Sequence, residues 1–321
     1  MQIGMIGLGR MGANIARRLM RHGHDAVVYD QTQTAVDDVS RDGAVPAKTI
    51  DELIKTLTPP RAVWVMLPSG EATEATITRL SELLASGDVV IDGGNTFWRD
   101  DLRRAQALKR RGIHYLDVGT SGGVLGREHG YCLMLGGEDE IVDRLASVFA
   151  ALAPGADGKD AQSSTAAQGW LHVGPSGAGH FVKMVHNGIE YALMQAYAEG
   201  FQILKETDAD ALPEAERFTL DIAAIAELWR HGSIVSSRLL DVTASALRED
   251  AGLQEFSGIV GDTGEGRWTV QTAIERAIPA MALTTALNAR FRSRREGNFA
   301  DKVISAMRRG FGGHTEAKGE P

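Results

Sequence analysis

Residues Gln2–Gly12 read QIGMIGLGRMG, an apolar run followed by glycines in the order Gly-x-Gly-x-x-Gly and then by a helical pattern. This order predicts a β-strand, a tight turn and a helix whose first N–H groups face the pyrophosphate of a dinucleotide. The alternative is an ordinary glycine-rich turn. Asp30 argues against it, because it ends the next apolar run, Ala26–Tyr29, where an acidic residue meets the adenosine ribose of such ligands.

The charge of Asp30 also indicates which dinucleotide to expect. A carboxylate accepts hydrogen bonds from both ribose hydroxyls, but it repels a 2′-phosphate by about 3 kcal/mol at about 5 Å and an effective dielectric constant near ~20. That energy corresponds to roughly a hundredfold in affinity. Gln31, which follows, has no guanidinium to offset the repulsion. NAD is therefore expected rather than NADP, unless Arg10 in the glycine loop compensates.

Short β-rich runs alternate with helical patterns through the first half of the chain. We predict the helices from Met11 to Arg21, from Glu71 to Ser86 and from Asp100 to Arg111. The strand-like runs are QIGMIG, AVVYD, RAVWVML, VVIDGG, IHYLDVG and YCLMLGG. Such alternation is typical of an α/β fold with a doubly wound, mostly parallel Rossmann-type sheet.

The second half has a different composition. Pro154–Gly169 is rich in Ala, Gly, Ser, Asp and Gln without periodicity, which predicts a loop. After about Gly177 the pattern is helical, so an all-α C-terminal domain is expected. We place the dinucleotide-binding domain at 1–170 and the helical substrate and dimerisation domain, with a C-terminal tail, at 171–321.

Three further loops follow predicted strands, where doubly wound sheets bind ligands. One contains Met66, Leu67 and Pro68, which we assign with the glycine loop to the cofactor. The next contains Asn95, and the third contains Ser121-Gly122-Gly123, whose hydroxyl and backbone donors suit a substrate carboxylate. Each loop on its own is typical of an ordinary turn.

Composition narrows the class of protein. The 321 residues carry a formal net charge of −8, which argues against nucleic acid or an anionic membrane as a partner. The single Cys132 excludes an intrachain disulfide and favours a reducing cytoplasm, and its apolar surroundings predict a core position. No leader or membrane span is evident. The histidines show no credible metal-ligand spacing, so we expect no metal.

A second stretch, GPSGAGHFVKMVHNGIEY at Gly174–Tyr191, predicts an active-site helix. Offsets of three, four, seven and eight residues return to one helical face. The apolar residues beside this face predict a buried helix. Burying an ionisable pair on it costs free energy, which favours a functional role for the pair. A structural ion pair is the alternative reading. The face carries Lys183, His186, Asn187, Glu190 and Tyr191.

These motifs, together with MLPSG, IDGGNT, TSGG, GEGRW and FGGHT, resemble the decarboxylating 6-phosphogluconate dehydrogenases over nearly the whole chain. The likeness is to their short NAD-type branch within the β-hydroxyacid dehydrogenase superfamily. It implies oxidation of 6-phosphogluconate by NAD, loss of CO2 and release of ribulose 5-phosphate. Lys183 would act as base and then acid, and Glu190 would protonate carbon.

The resemblance also implies which residues bind substrate. The sugar acid would contact Asn95, Ser121, Gly122, Gly123, His186 and Asn187. The 6-phosphate would contact Tyr191, Arg290 and, from the neighbouring subunit's tail, Arg308 and His314. The cofactor would contact Gly7, Leu8, Gly9, Arg10, Met11, Gly12, Asp30, Gln31, Met66, Leu67, Pro68 and Asn95. The tail contribution implies a homodimer or a dimer-based tetramer, although a frayed basic terminus is the alternative.

One departure concerns the phosphate site. Long-form relatives place a Lys before a Gly-Thr-Gly-Lys-Trp run, whereas this chain has Thr263 before Gly264–Trp268, GEGRW. The missing cation keeps a dehydrogenase of a small unphosphorylated β-hydroxy acid, such as 3-hydroxyisobutyrate, as an alternative. A non-catalytic dinucleotide sensor is a more distant one, against which the intact Lys183 and Glu190 argue.

Overall fold

The computed structural model describes residues 1–156, 164–295 and 297–316. The chain divides into two compact units, residues 1–184 and 185–321. The position of the domain boundary at residue 170 remains a prediction. Among the described residues, no helix combines the length and the apolar character needed to cross a bilayer.

The first unit is built on one eight-stranded sheet in the order β3-β2-β1-β4-β5-β6-β7-β8. Strands β1 to β6 run parallel, β7 is antiparallel to β6, and β8 is parallel to β7. The strands are β1 Gln2–Ile6, β2 Asp25–Tyr29, β3 Val45–Pro46, β4 Ala62–Val65, β5 Val89–Asp92, β6 His114–Ser121, β7 Cys132–Gly136 and β8 Trp170–Gly174. This is the predicted doubly wound fold, which the structure confirms.

Side chains alternate between the two faces of the sheet along each strand, and helices cover both faces, so both are buried. On β1, Ile3 and Met5 pack into one cluster, whereas Ile6 packs into a second. The covering helices are α1 Arg10–Arg21, α2 Gln33–Ser40, α3 Ile50–Thr56, α4 Glu71–Leu83, α5 Trp98–Lys109, α6 Gly126–His129, α7 Asp139–Arg144 and α8 Ala146–Leu152. The three helices expected from the sequence are all present.

Two strands were not expected. Strand β3 has only two residues, too few for a periodic signal, and β8 follows directly on the unpatterned Pro154–Gly169 segment. The described parts of that segment are coil and turn, as predicted, and 157–163 lie outside the described residues. The core position expected for Cys132 is wrong. The thiol lies at the first residue of β7 and is exposed.

The described regular structure of the second unit is all helical, as expected from its sequence pattern. Its helices are the greater part of α9 Ala178–Lys205, then α10 Ile222–Arg230, α11 Arg238–Glu249, α12 Glu265–Glu275, α13 Met281–Ser293 and α14 Phe299–Gly312. Met194, Phe201, Leu240, Val303 and Met307 form its main core.

Two expectations for these helices are corrected. Arg308 does not lie in a tail without stable structure, because α14 continues to Gly312 and ends at Gly313 in the left-handed conformation. A capping box at Asn298 and Asp301 fixes its start. The active-site helix is also less buried than predicted, since Ile189 is 52% exposed.

Candidate active site

The glycine loop after β1 has the geometry of a dinucleotide turn. Gly7 has φ +93°, which favours glycine, and a Cβ there would lie 2.4 Å from the Met66 carbonyl oxygen. A Cβ on Gly12 would lie 1.9 Å from the Gly7 carbonyl oxygen. No larger residue fits either position. Helix α1 begins within this loop, with Gly9 as its N-cap and Arg10 and Met11 as its first residues.

Asp30 follows β2 and fastens this loop. Its Oδ2 accepts the N–H of Leu8 at 2.7 Å, and its Oδ1 accepts the N–H of Thr32 at 2.8 Å. Each carboxylate oxygen can accept more than one hydrogen bond, so lone pairs remain for ribose hydroxyls. Gln31 is exposed beside it. The predicted cofactor residues of β1 and β2 are thus brought together.

The loops after β4 and β5 lie at the same edge of the sheet, because these strands are parallel to β1. Met66 and Leu67 are half-buried and Pro68 is exposed. A Cβ on Gly94 would lie 2.7 Å from the Leu67 carbonyl oxygen, so the two loops pack closely. Asn95 is exposed at this edge, where open α/β sheets bind ligands.

Strand β6 ends at this edge as well, at Ser121, and Gly122 and Gly123 follow it. Gly122 has φ +133° and Gly123 has φ +56°, both in the region that favours glycine. Lys183 lies beside the same strand. A Cβ on Gly119 would lie 2.5 Å from the Lys183 Cβ, so the lysine stem packs on bare backbone. Lys183 is only 8% exposed.

A buried polar network holds the start of α9. Asp117, in the middle of β6, accepts the N–H of Gly177 at 2.6 Å and of His180 at 2.9 Å. The His180 Nδ1 lies 2.8 Å from Asp101 Oδ2. These bonds satisfy N–H groups at the beginning of the helix that would otherwise be buried without partners. They fix the turn that precedes Lys183.

The same network reaches the Asn95 loop. Tyr115 donates its hydroxyl hydrogen to Asp101 Oδ1 at 2.7 Å, and the same hydroxyl oxygen lies 3.2 Å from Asp92 Oδ2. Asp92 in turn accepts the Gly94 N–H at 3.0 Å and the Thr96 hydroxyl at 2.7 Å. One set of buried hydrogen bonds therefore orders both the loop that carries Asn95 and the turn that leads to Lys183.

Asp92, Asp101 and His180 have ligand atoms within 4.8 Å of one another, a grouping that sequence spacing did not reveal. Protein donors already surround this group, including Arg104 at 3.2 Å from Asp92. Burial lowers the pKa of His180, but the charges of Asp101, Asp92 and Asp117 outweigh it and raise the pKa to about 10. An imidazolium binds no metal. The expected absence of a required metal stays a prediction.

Replacing Asp101 with Asn is expected to destabilise the protein by about 3 kcal/mol, because it leaves a buried imidazolium without its anion. The pKa of His180 is raised from 6.5 to about 10. The ion pair is therefore present near neutral pH, because burial raises the pKa of Asp101 to about 6, and the contribution of the protonated His180 is lost as pH rises towards 10. Urea unfolding at several pH values should show this alkaline decline in the native protein and less of it in the variant. Asp100→Asn, at a more exposed neighbour, is the control; equal stability of the Asp101 variant at neutral pH would refute the ion pair.

The second unit contains a cluster of buried cations. The Arg290 guanidinium carbon lies 3.3 Å from the centre of the Tyr191 ring, and Arg290 is 2% exposed. Burial lowers the pKa of Arg290 to about 10 and lowers that of Arg308 as well. Burial also raises the pKa of Tyr191, while the Arg290 charge lowers it. Arg290 Nη1 donates to the Gly261 carbonyl, whereas its buried Nη2 has no hydrogen-bond partner.

The charges of Glu190 and Asp262 act favourably on both arginines, but neither carboxylate forms a salt bridge with them. Asp262 is paired with Arg267 and Arg294. Within the described part of the chain, no carboxylate lies in salt-bridge range of Arg290 or Arg308. Two buried guanidiniums with an unused N–H group are costly unless an anion joins them. The cluster is therefore suited to a dianionic phosphate.

Other predicted substrate residues form a second cluster in this unit. Glu265 Oε2 accepts the Thr263 hydroxyl at 2.6 Å, and Oε1 accepts the Asn187 side-chain N–H at 3.1 Å. Asn187 Oδ1 lies 3.0 Å from His186 Nδ1, and Glu190 Oε2 lies 4.0 Å from the same nitrogen. The sequence motif indicates the missing cation at Thr263 but no role for Glu265.

His314 lies just beyond α14, and its ring centre is 6.3 Å from that of Phe311. The Glu316 carboxylate accepts the N–H groups of Ser257 and Gly258, so the described end of the chain is attached to its own unit. Arg308 is likewise buried within this unit, where its charge acts on Arg290. A role for His314 in phosphate binding stays a prediction.

Comparison with known families covers both units. The model of the NAD binding domain of 6-phosphogluconate dehydrogenase matches residues 2–163, and the model of the 6-phosphogluconate dehydrogenase C-terminal domain matches residues 179–308. The chain is 40% identical over 319 residues to an NAD(+)-dependent, decarboxylating 6-phosphogluconate dehydrogenase of Haloferax volcanii, covering 99% of each protein. It is 39% identical over 318 residues to a putative 6-phosphogluconate dehydrogenase of Bacillus subtilis, covering 99% of this chain and 100% of that protein.

Comparison with solved structures points to the same family. The 6-phosphogluconate dehydrogenase of Plasmodium falciparum matches with a TM-score of 0.75 and 28% identity over 91% of this chain, which spans 62% of the Plasmodium chain. A 3-hydroxyisobutyrate dehydrogenase of Mycobacterium tuberculosis matches with a TM-score of 0.70 over 94% of this chain and 97% of that one, but at 18% identity shares the fold alone. The chain therefore belongs to the 6-phosphogluconate dehydrogenase family and is an oxidoreductase.

Proposed function

We propose that this protein catalyses the oxidative decarboxylation of 6-phosphogluconate to ribulose 5-phosphate and CO2, with NAD as the oxidant. The observation that carries the proposal is the pair of buried guanidiniums of Arg290 and Arg308, which form no salt bridge among the described residues, with Arg290 Nη2 left without a hydrogen-bond partner. An unphosphorylated β-hydroxy acid would leave both guanidiniums without a directly bound anion. The cluster thus favours a phosphorylated substrate despite Thr263 in place of a lysine.

The chain's residues fit the cofactor. Gly7 and Gly12 keep the loop after β1 free of side chains, as close approach of a pyrophosphate requires. Asp30 is held in place by the N–H groups of Leu8 and Thr32, so its lone pairs are already oriented for a ribose. When bound, the nicotinamide supplies a hydride acceptor. We propose the remaining cofactor contacts at Gly9, Arg10, Met11, Gln31, Met66, Leu67, Pro68 and Asn95.

The proposed proton transfers use two residues of α9. Lys183 in its neutral form accepts the proton of the C3 hydroxyl while C3 loses its hydride, which leaves a 3-keto acid. The protonated Lys183 then donates to the C3 carbonyl oxygen, and the C1–C2 bond breaks to release CO2 because its electrons move into the polarised carbonyl. Glu190 then protonates the carbon that was C2 of the substrate and becomes C1 of the product, while the neutral Lys183 takes back the proton of the neighbouring enediol hydroxyl, so that the carbonyl re-forms. The product is ribulose 5-phosphate.

The other proposed contacts hold the sugar acid. Ser121, Gly122 and Gly123 would bind the carboxylate through hydroxyl and backbone N–H groups, with Asn95 beside them. His186 and Asn187 would bind sugar hydroxyls. Tyr191, Thr263, Arg290, Arg308 and His314 would bind the phosphate.

Replacing Asp30 with Asn should relax the preference for NAD. The amide keeps one acceptor oxygen for the Leu8 N–H but removes the charge that repels a 2′-phosphate by about 3 kcal/mol. The ratio of kcat/KM for NAD to that for NADP should fall about tenfold to a hundredfold. Asp37→Ala, an exposed carboxylate on α2, should leave the ratio unchanged. A native enzyme that used both cofactors equally would contradict this reading of Asp30.

We also propose a dimer-based assembly in the cytoplasm. The location rests on the single cysteine, and the assembly rests on the family resemblance. The described part of the tail gives no support for exchange between subunits, because Arg308 and Glu316 contact their own unit.

The function is tested by following NADH absorbance with three substrates: 6-phosphogluconate, gluconate and 3-hydroxyisobutyrate. We expect reduction of NAD with the first and a kcat/KM at least about a thousandfold lower with the others, because two charge-assisted hydrogen-bond sites lose their anion. Comparable activity with 3-hydroxyisobutyrate would instead support the alternative function.

A further inference from the structure

Glu265 is a buried acid that neither the family resemblance nor the proposed proton transfers use. It is the first residue of α12 and is 2% exposed. Its position at a helix N-terminus favours the ionised form through the helix dipole. Thr263 and Asn187 each donate a hydrogen bond to it. An acid retained beside a proposed phosphate site requires a reason, since its charge opposes a bound phosphate.

Besides a favourable charge interaction with Arg308, the acid affects the orientation of Asn187. An ionised carboxylate only accepts hydrogen bonds, so the group of Asn187 that faces Glu265 Oε1 at 3.1 Å must be its NH2. An ionised Glu265 thus favours one assignment of the amide oxygen and nitrogen, which shape alone leaves ambiguous. The Asn187 oxygen then faces His186 Nδ1 at 3.0 Å. Two acceptors cannot share that contact, so Nδ1 must carry a hydrogen.

We propose that Glu265 is a positioning residue that acts through Asn187 to hold His186 in the tautomer with its hydrogen on Nδ1. The neutral imidazole then presents Nε2 as an acceptor for a substrate hydroxyl. Glu190 Oε2, at 4.0 Å from Nδ1, supports the same tautomer by charge but lies beyond hydrogen-bond distance. The catalytic meaning of this relay rests on the proposed function, whereas the tautomer itself does not.

The direct test is nitrogen NMR of the full-length protein labelled with 15N-histidine, recorded near about pH 8 where most imidazoles are neutral. His186→Gln identifies the signals of His186. We expect a protonated Nδ1 and an unprotonated Nε2 in the native protein and in Glu265→Gln, whose side-chain oxygen can still accept from Asn187. Glu265→Met, which has similar size and no acceptor, should shift His186 towards the Nε2–H tautomer.

Kinetics supply the second readout. Glu265→Met should lower kcat/KM for 6-phosphogluconate about tenfold to a hundredfold, the effect of losing a hydrogen bond to a charged group. Glu265→Gln should recover most of this loss without affecting the KM for NAD. Glu275→Met, at the exposed end of the same helix, is the matched control and should behave as the native enzyme.

An Nε2–H tautomer of His186 in the native protein would overturn the proposal without any variant, as would an unchanged tautomer in folded Glu265→Met. If the tautomer depends on Glu265 but 6-phosphogluconate is not oxidised, the proposed function fails and the positioning role stands. If the native enzyme is active and Glu265→Met shows neither a tautomer change nor a loss of kcat/KM, the positioning role fails alone.

Discussion

Lys183→Met is expected to lower kcat for NAD reduction by about a thousandfold, within the range of about 10²–10⁴ attributed to a single general base. Methionine has similar length and packs well where the lysine stem lies against Gly119, so the loss should come from the amine. Single-turnover formation of NADH measures the hydride-transfer step directly. The matched control is Lys205→Met, at the exposed end of the same helix.

The variant should still bind substrate and cofactor, which equilibrium binding can verify. A Lys183→Met protein that retains more than about a tenth of the native rate would exclude Lys183 as the base. An inactive variant that has also lost its cooperative unfolding transition would indicate only that the buried position cannot accept methionine. The unfolding curve therefore accompanies the kinetics.

Arg308→Met should raise the KM for 6-phosphogluconate by about thirtyfold to a hundredfold and leave the KM for NAD unchanged. The removed guanidinium is 8% exposed and forms no salt bridge within the described residues, so a bound phosphate is its natural partner. A hydrogen bond to a charged group contributes about 1.5–3 kcal/mol. Arg309→Met is an unusually close control, because its neighbouring guanidinium is paired with Glu255 at the surface.

Mixing subunits shows which chain supplies this arginine. If Arg308 acts within its own chain, a hybrid of Lys183→Met and Arg308→Met subunits contains two defective sites, and no activity with the native KM returns. If Arg308 acts on the partner, the hybrid contains one intact site and activity is recovered. The structure favours the first result, because the charge of Arg308 acts on Arg290 in the same unit. An equal rise in KM for Arg309→Met would contradict the phosphate assignment.

The sequence was sufficient to predict the fold and the backbone geometry of the glycine loop after β1. Glycines at Gly7 and Gly12 are required by local backbone geometry, which a short motif expresses fully. The alternation of apolar strands with helical patterns likewise determines the sheet, because both of its faces must be buried. Strands β3 and β8 could not be predicted from the sequence, because β3 has only two residues and β8 has only five, next to an unpatterned loop.

The supporting residues of the site could not be inferred in the same way. Asp117 and Glu265 bind partners far away in sequence, Gly177 and Asn187, so no local spacing reveals them. The available signal was an acidic residue within an otherwise apolar strand, IHYLDVG, which predicts a buried partner without naming it. The sequence places Arg308 in a tail because the glycines near the end of α14 resemble a flexible segment. In the structure Gly313 caps the helix instead.

The most direct test of the central claim is to measure CO2 and NADH together, using 6-phosphogluconate labelled with ¹⁴C at C1 and the purified enzyme with NAD. The account predicts that labelled CO2 and NADH appear in equal amounts, and that ribulose 5-phosphate accumulates in the same proportion. NADH formation without labelled CO2, or no reduction of NAD at substrate concentrations that saturate binding, would contradict it.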